Sequence, residues 1–185
     1  KENVVANFLN RGFDTNYTGG ADGKPLFSTS HTTTSGNQSN KLAVDADFSE
    51  TALEDMIIQV MGATNDRNLK IKLMPQTLHV PRQLAMEAIR VLKSTLQNDS
   101  ANNAINALKE MNALPGGIKV NHYFTDADAW FIKTNVTDGL TLFQRRPLEF
   151  TKDNEFATEN ALAKSVERYS VQWGDWRDYW GSQGS

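Results

Sequence analysis

The stretch Asp22-Gly23-Lys24-Pro25-Leu26-Phe27-Ser28-Thr29-Ser30-His31 decides how the rest of the chain is read. Asp22-Gly23 is a turn dipeptide, because Gly tolerates positive φ and Asp bonds its own backbone. Pro25 pushes Lys24 out of the helical region, so the chain leaves the turn extended. An apolar pair and a hydroxyl-rich segment ending in His31 follow. Ser28, Ser30 and His31 do not make a catalytic signature. Adjacent residues on an extended segment point to opposite faces, and a triad also needs an orienting carboxylate and an oxyanion hole. No Gly-x-Ser-x-Gly elbow occurs anywhere in the chain.

Working outward, Val5-Ala-Asn-Phe-Leu-Asn-Arg-Gly-Phe13 sits just before this stretch and reads as a helix end with an Asn-x-x-Phe. After it come Leu53 in an amphipathic helix, Pro75-x-x-Leu78-x-Val80-Pro81, Asp126-x-Asp128-x-Trp130-Phe131, and Asp175-Trp176-Arg177. In order and spacing, over nearly the whole chain, these motifs resemble the major capsid proteins of tailed bacteriophages, the shell builders with the Hong Kong ninety-seven fold. Such proteins carry an N-terminal arm and an extended loop before their long helix, and neither has a counterpart here. The chain starts at Lys1, not Met, so the expectation is the C-terminal portion of a longer protein.

The 185 residues suffice for one domain or two small lobes with a real core. A hydrophobic content of 39% and a charged content of 22% are those of a globular protein. No apolar run approaches the length that crosses a bilayer, and no signal-peptide pattern opens the chain. Cysteine is absent, which excludes disulfides and thiolate metal sites and fits synthesis in a reducing cytoplasm. The net charge is −3, whereas a protein that grips DNA phosphates usually needs a basic surplus. A mildly acidic shell lining would let DNA pack against it without sticking, although the same balance is ordinary for cytoplasmic proteins.

Lys1 to Arg11 reads as a helix with Val4, Val5, Phe8 and Leu9 in a stripe and Gly12 as its C-cap. Asp14 to Asn40 is irregular, with a short extended piece at Leu26 and Phe27. In the family such a segment implies a strap across the shell surface or against a neighbour. Asp47 to Met61 is the clearest helix, with Leu53, Met56, Ile57, Val60 and Met61 on one face, an Asp47/Glu50 capping box and Gly62 at its end. Leu69, Ile71 and Leu73 alternate with Lys70 and Lys72 as a strand, and Leu78 and Val80 make a second. Pro81 then opens a helix whose apolar face holds Leu84, Ala85, Ala88, Ile89, Leu92 and Leu96.

Asn102 to Leu114 has a weak helical period that Pro115-Gly116-Gly117 breaks. Ile118, Val120 and Phe124 alternate as a strand, Ala129 to Ile132 is a buried strand, and Asp138-Gly139 is a hairpin-type turn. From Leu140 on, alternation around Leu142, Leu148 and Phe150, and later Tyr169, Val171 and Trp173, predicts two long strands outside the compact lobe. The spacing of Leu162, Val166, Tyr169 and Trp173 would also suit a helix; β-branched and aromatic content favours strand, as does the resemblance. Gly181 to Ser185 reads as a polar tail.

Other candidates for chemistry are weak. Asp126 and Asp128 could hold a hard cation or do acid–base work, but such sites draw further carboxylates or waters. A turn with an Asp side chain capping free N–H groups is the more economical reading. His79 and His122 sit in alternating strands, and the three histidines have no zinc-ligand spacing. No Walker loop or Gly-x-Gly-x-x-Gly occurs. Lys164, Arg168, Arg145 and Arg146, near Trp173 and Trp176, could form a nucleic-acid patch. However, Glu149, Asp153, Glu155, Glu159, Glu167 and Asp175 are interleaved with them. That mixture suits cross-subunit ion pairing or a solvated face.

The residues alone predict an α+β protein without a recognisable active site, cofactor or metal. The resemblance implies a Hong Kong ninety-seven-type capsid fold. In it, residues 1–47 form the end of a long helix and an extended segment of a peripheral lobe, and 48–136 an axial α/β lobe. Residues 137–180 form a long hairpin returning to the peripheral lobe, and 181–185 a tail. The implied function is a major head protein that self-assembles into pentamers and hexamers of an icosahedral shell around double-stranded DNA. It would be a virion component assembled in the bacterial host cytoplasm. Scaffold, portal and decoration proteins are further candidate partners, packaged DNA would be touched only weakly and non-specifically, and no membrane is involved. Arg145, Arg146, Glu149 and Arg168 are the candidate interface residues. The alternatives are a nanocompartment shell of the same fold, which encloses enzymes, and, more distantly, a small metal-dependent hydrolase using Asp126 and Asp128.

Overall fold

The structure, a computed structural model, describes residues 2–20, 22–97, 104–154, 157 and 159–184. The beginning of the expected Asn102 helix and the charge at Glu155 lie outside the described residues. Along the chain run α1 Glu2–Asn10, β1 His31–Thr33, β2 Gly36–Gln38, α2 Glu50–Met61, β3 Pro75–Pro81, α3 Ala85–Lys93 and α4 Ala107–Glu110. They are followed by β4 Ile118–Asn121, β5 Trp130–Thr134, β6 Leu140–Asn154, β7 Ala161–Trp173, a 3-10 turn Trp176–Asp178 and β8 Tyr179–Ser182.

A four-stranded mixed sheet in the order β4-β3-β5-β8 organises the molecule. β3 and β4 are parallel, and α3 and α4 form the crossover that a parallel pair needs. β5 is antiparallel to both β3 and β8. Within this sheet prolines stand only at the two ends of β3, Pro75 and Pro81, where a missing donor interrupts no interior ladder bond. One face of the sheet presents Leu78, Val80, Trp130, Ile132 and Trp180 to α2 and α3. The other presents Phe131 and Tyr179 to Leu9, Leu26, Phe27 and Trp173, from α1, the 22–31 stretch and the base of β7. Phe27 stacks on Phe131 with centroids 5.2 Å apart. A Cβ on Gly12 would stand 2.5 Å from the Phe27 ring, so the chain can pass there only as glycine.

Several expectations are corrected by this arrangement. α2 is capped by Ser49, not by Asp47: Ser49 is extended and its Oγ accepts the Ala52 N–H at 3.2 Å. Leu53, Met56, Ile57 and Val60 are buried as read, but Met61 is exposed; eight residues on from Leu53, it lies about 80° round the helix. In α1, Ala6 and Leu9 are the buried positions. Residues 69–73 form no strand, because the segment finds no partner beyond an isolated Thr64–Lys70 bridge. Pro81 closes β3 and does not open a helix; α3 begins at Ala85. Its inward residues are Ala88 and Val91, with Leu84 and Leu92 packed beside them, whereas Ile89 and Leu96 are exposed.

Further along, β4 stops at Asn121, and Phe124 instead meets Phe131 edge-on at 5.2 Å. Asp138-Gly139 is not a hairpin turn: it carries the chain from the four-stranded sheet into a separate one, and its carbonyls accept from Asp175 N and Gly174 N. The extended piece at Leu26 and Phe27 is buried without being a strand, and a small β1–β2 hairpin follows it unforeseen. The polar tail does not start at Gly181, because Gly181 and Ser182 belong to β8 and pair with Phe131 and Trp130.

Candidate functional site

The two motifs nearest the chain ends, Asp22 to His31 and Asp175 to Arg177, meet in space. The His31 ring is fully buried. Its Nδ1 lies 2.6 Å from Asp22 Oδ2 and its Nε2 3.1 Å from Asn40 Oδ1. The Asn40 amide is fixed in that orientation by its Nδ2, which donates to the carbonyls of Leu26, Trp176 and Tyr179 at 2.6, 3.2 and 3.0 Å. Burial alone would raise the Asp22 carboxyl, but the hydrogen bonds from His31 and from the Lys24 N–H hold it below the ordinary carboxylate range.

Arg177 closes the other side of this knot. Its guanidinium donates to Asp66 at 2.7 Å, Gln38 at 2.9 Å, Thr64 O at 3.1 Å and Asp175 at 3.2 Å. A buried arginine persists only with its donors satisfied in this way. The arrangement pairs an imidazole with a carboxylate, as a hydrolase does, but no nucleophile faces Nε2. Ser28 Oγ bonds the Ser30 N–H at 3.1 Å instead. The knot fastens β2, the 64–66 turn and the 3-10 turn together.

Asp126 and Asp128 behave as a turn: Asp126 Oδ1 accepts the Asp128 N–H at 3.0 Å. Among the described residues no group of histidines and carboxylates could hold a metal ion. Trp173 packs edge-on against Phe8, centroids 5.1 Å apart, and Trp176 stacks on His31. Neither indole is free to stack on a base, which removes the aromatic half of the nucleic-acid reading. A groove of about 460 Å³ between α1 and the base of β7 is lined by Val4, Phe8, Arg11, Tyr17, Val171 and Trp173; Arg11 lies over the Tyr17 ring at 4.6 Å, and neither a histidine nor a carboxylate stands in the wall.

The surface that remains is the hairpin of β6 and β7, whose 15 and 13 residues pair only with each other. Between Gln144 and Glu149, β6 advances five residues while β7 advances three, from Tyr169 to Val166. Two bulges therefore sit in β6 on either side of Arg146, and the second contains Pro147. Cross-strand partners share a face. One face carries Leu142, Val171, Phe150, Ser165 and Ala163 and runs on from the core at Trp173. The opposite face carries Arg146, Arg168, Glu149, Lys164 and Asp153.

Of the four candidate interface residues, Arg146 and Glu149 are joined, with Arg146 Nη2 2.5 Å and Nε 3.0 Å from Glu149 Oε2. That hydrogen bond and the adjacent charge hold Glu149 below its ordinary pKa and Arg146 above its own. Arg168 stands directly across the ladder from Arg146, a like-charge pair that Glu149 relieves. Arg145 lies in the first bulge and is exposed. The sequence pattern missed Asn40, whose polar type in a polar segment gave no sign that it is fully buried.

A family model described as phage capsid protein matches residues 1–179. No curated protein matches the chain. Among solved structures it is similar to the virus-like particle from Pyrococcus furiosus, at 14% sequence identity and a TM-score of 0.45, over 77% of this chain and 55% of that one. The chain thus spans little more than half the length of that structure's chain.

Proposed function

The chain belongs to the phage capsid protein family, and we propose that within it this is the repeating major subunit of a tailed-phage head with the Hong Kong ninety-seven fold. It builds pentamers and hexamers of an icosahedral shell around double-stranded DNA, assembled in the host cytoplasm. Residues 48–136 are the axial lobe at the capsomer centres. Residues 1–47 and 137–180 serve the periphery, where capsomers meet. Scaffold, portal and decoration proteins would add to these self-contacts, and DNA would touch the shell only weakly.

The observation that carries this reading is the hairpin. A two-stranded ribbon is at best marginally stable alone in water, yet this one leaves Leu142 and Phe150 exposed on the face that runs on from the core, Phe143 and Leu162 exposed on the charged face, and Leu148 exposed in the second bulge. Apolar surface of that extent marks an interaction site. A neighbouring subunit would cover it, with Arg145, Arg146, Glu149 and Arg168 setting register across the contact. Such work needs no catalysis; it needs repeated contacts of modest strength that close geometrically. Electron microscopy of the full-length product, expressed with its genomic neighbours, tests the reading. Closed icosahedral particles that contain DNA are expected, and particles that enclose only protein cargo would overturn it in favour of a nanocompartment.

A further inference from the structure

Two apolar features of the sheet layer have no covering among the described residues, and they lie at its opposite edges. At the β8 edge, Lys41 bridges Gly181 and Ser182 bonds Ala46, so the 42–46 segment runs beside α2. Between them is a groove of about 580 Å³ lined by Val44, Ile58, Ala46, Thr51 and Asp55. Val44 is 81% and Ile58 67% exposed. At the other edge α3 packs over β3 and β4. Its outer face presents Met86, 69% exposed, and Ile89 beside Arg90 and Lys93. Residues 86, 89, 90 and 93 fall on one helical face by their spacing.

The two features are complementary in charge as well as in character. The groove has Asp55 on its wall, on a helix whose other charges, Glu50 and Glu54, are also acidic. The α3 face has two cations. Asp55, Arg90 and Lys93 have no ion-pair partner among the described residues. An acidic apolar groove at one edge and a basic apolar ridge at the other cannot satisfy each other within one molecule. They can do so between copies, head to tail, and a repeated heterologous contact closes into a ring when its rotation permits.

We propose that the occupant of the α2 groove is the α3 face of a second copy of this chain, and that this contact is the one repeated around the capsomer. The inference rests on the shell reading but specifies more, namely which two edges meet. These 185 residues contain no cysteine, so thiols introduced into them report without background once any cysteine elsewhere in the full-length protein is replaced by serine. Full-length protein carrying Ile58→Cys and Met86→Cys together, oxidised after assembly, should give a ladder of covalent multimers ending at the ring size. Each single variant should give no ladder. Both positions are exposed, and melting curves check that the variants fold.

A dimer from Ile58→Cys alone would mean that the groove pairs with itself and would overturn the proposal. So would closed shells whose double variant stays monomeric under oxidation, and in that case the shell reading would stand. A ladder without closed shells would support the contact while the shell reading failed. Charge reversal gives an independent reading: Asp55→Arg should lower ring yield, and adding Arg90→Asp with Lys93→Asp should restore it.

Discussion

The His31 imidazole lies flat on the Trp176 indole, with centroids 4.3 Å apart and planes 3° from parallel. The Arg177 guanidinium covers the same indole at 4.3 Å. Residues far apart in sequence are thus held by one stack, with Asn40 bonding Leu26, Trp176 and Tyr179 around it. Trp176→Ala should cost on the order of 3 kcal/mol, through lost packing and a void beside His31. Asn40→Ala should cost about 2–3 kcal/mol, because it strands several buried backbone groups. Urea unfolding of the two variants measures both. A change of a few tenths of a kcal/mol would show that the knot contributes little to the fold.

His79 makes stability fall in acid. Burial, then the nearby Lys133 and Lys119 charges, push its pKa down from 6.5 to about 4. The unfolded chain therefore takes up a proton near pH 6.5 that the folded chain refuses until about pH 4. The stability is complete above the unfolded value and is lost as pH falls through this window, on the order of 3 kcal/mol at most. Asp22, also depressed, adds a loss of the same sign lower down. His79→Leu should flatten the pH 6.5–4 part of the profile. An unchanged slope in that variant would assign the acid sensitivity to other groups.

Asp178 has the opposite sign. Burial raises its pKa, against the Leu140 N–H bond and Lys133, with Asp175 adding to the rise. Its Oδ2 accepts the Leu140 N–H at 3.1 Å, and its Oδ1 has no partner among the described residues. Its contribution is most favourable below pH 3.8, where the carboxyl is protonated in both states, and declines as pH rises through the folded value. Asp178→Asn keeps an acceptor for Leu140 and should melt higher than the parent at about pH 7, with the gap narrowing in acid. A variant that melts lower at neutral pH would show that the charge is wanted. Gly139→Ala should destabilise by about 1–3 kcal/mol, since its Cβ would fall 1.9 Å from Asp178 Oδ2.

What the sequence makes legible follows from which physical signal each element carries. Trp130 to Ile132 and the α2 face are apolar runs at the right period, and both are buried as read except for Met61 at the end of α2. The long hairpin is legible from two alternating stretches. The 69–73 segment shows the limit: its alternation is genuine, but a strand exists only if a partner is there to pair with it, and no local pattern reports that. Gly181-Ser182 shows the reverse, small residues that read as tail yet are buried because β5 offers them an edge. Asp22, His31, Trp176 and Arg177 stand out only through a resemblance in motif order. Their reason for standing together, one buried knot, depends on contacts between distant parts of the chain, such as Asn40 to Tyr179. Ile89 fails in another way: a helix with apolar residues most of the way round does not say which of them the sheet will take.

Arg145 and Arg146 give the sharpest test of the hairpin as an assembly surface. Arg146 is paired with Glu149 inside its own strand and faces Arg168 across the ladder, while Arg145 lies in the adjoining bulge. Neither side chain is part of either buried core, so the fold does not depend on their charge. Replacing both with Glu removes the Arg146–Glu149 pair, but it sets a carboxylate against Arg168 and so leaves the ribbon a cross-strand pair of opposite sign. The subunit should therefore melt where the parent does. Across a docking surface the consequence is different. Two reversals in every copy turn attraction into repulsion at each repeat, and like-charge juxtaposition suppresses docking. Full-length protein with Arg145→Glu and Arg146→Glu should stay folded and give far fewer closed particles, read by sedimentation alongside thermal melts. A normal particle yield would remove these residues from the interface, and a collapsed melting temperature would place them in the service of the fold.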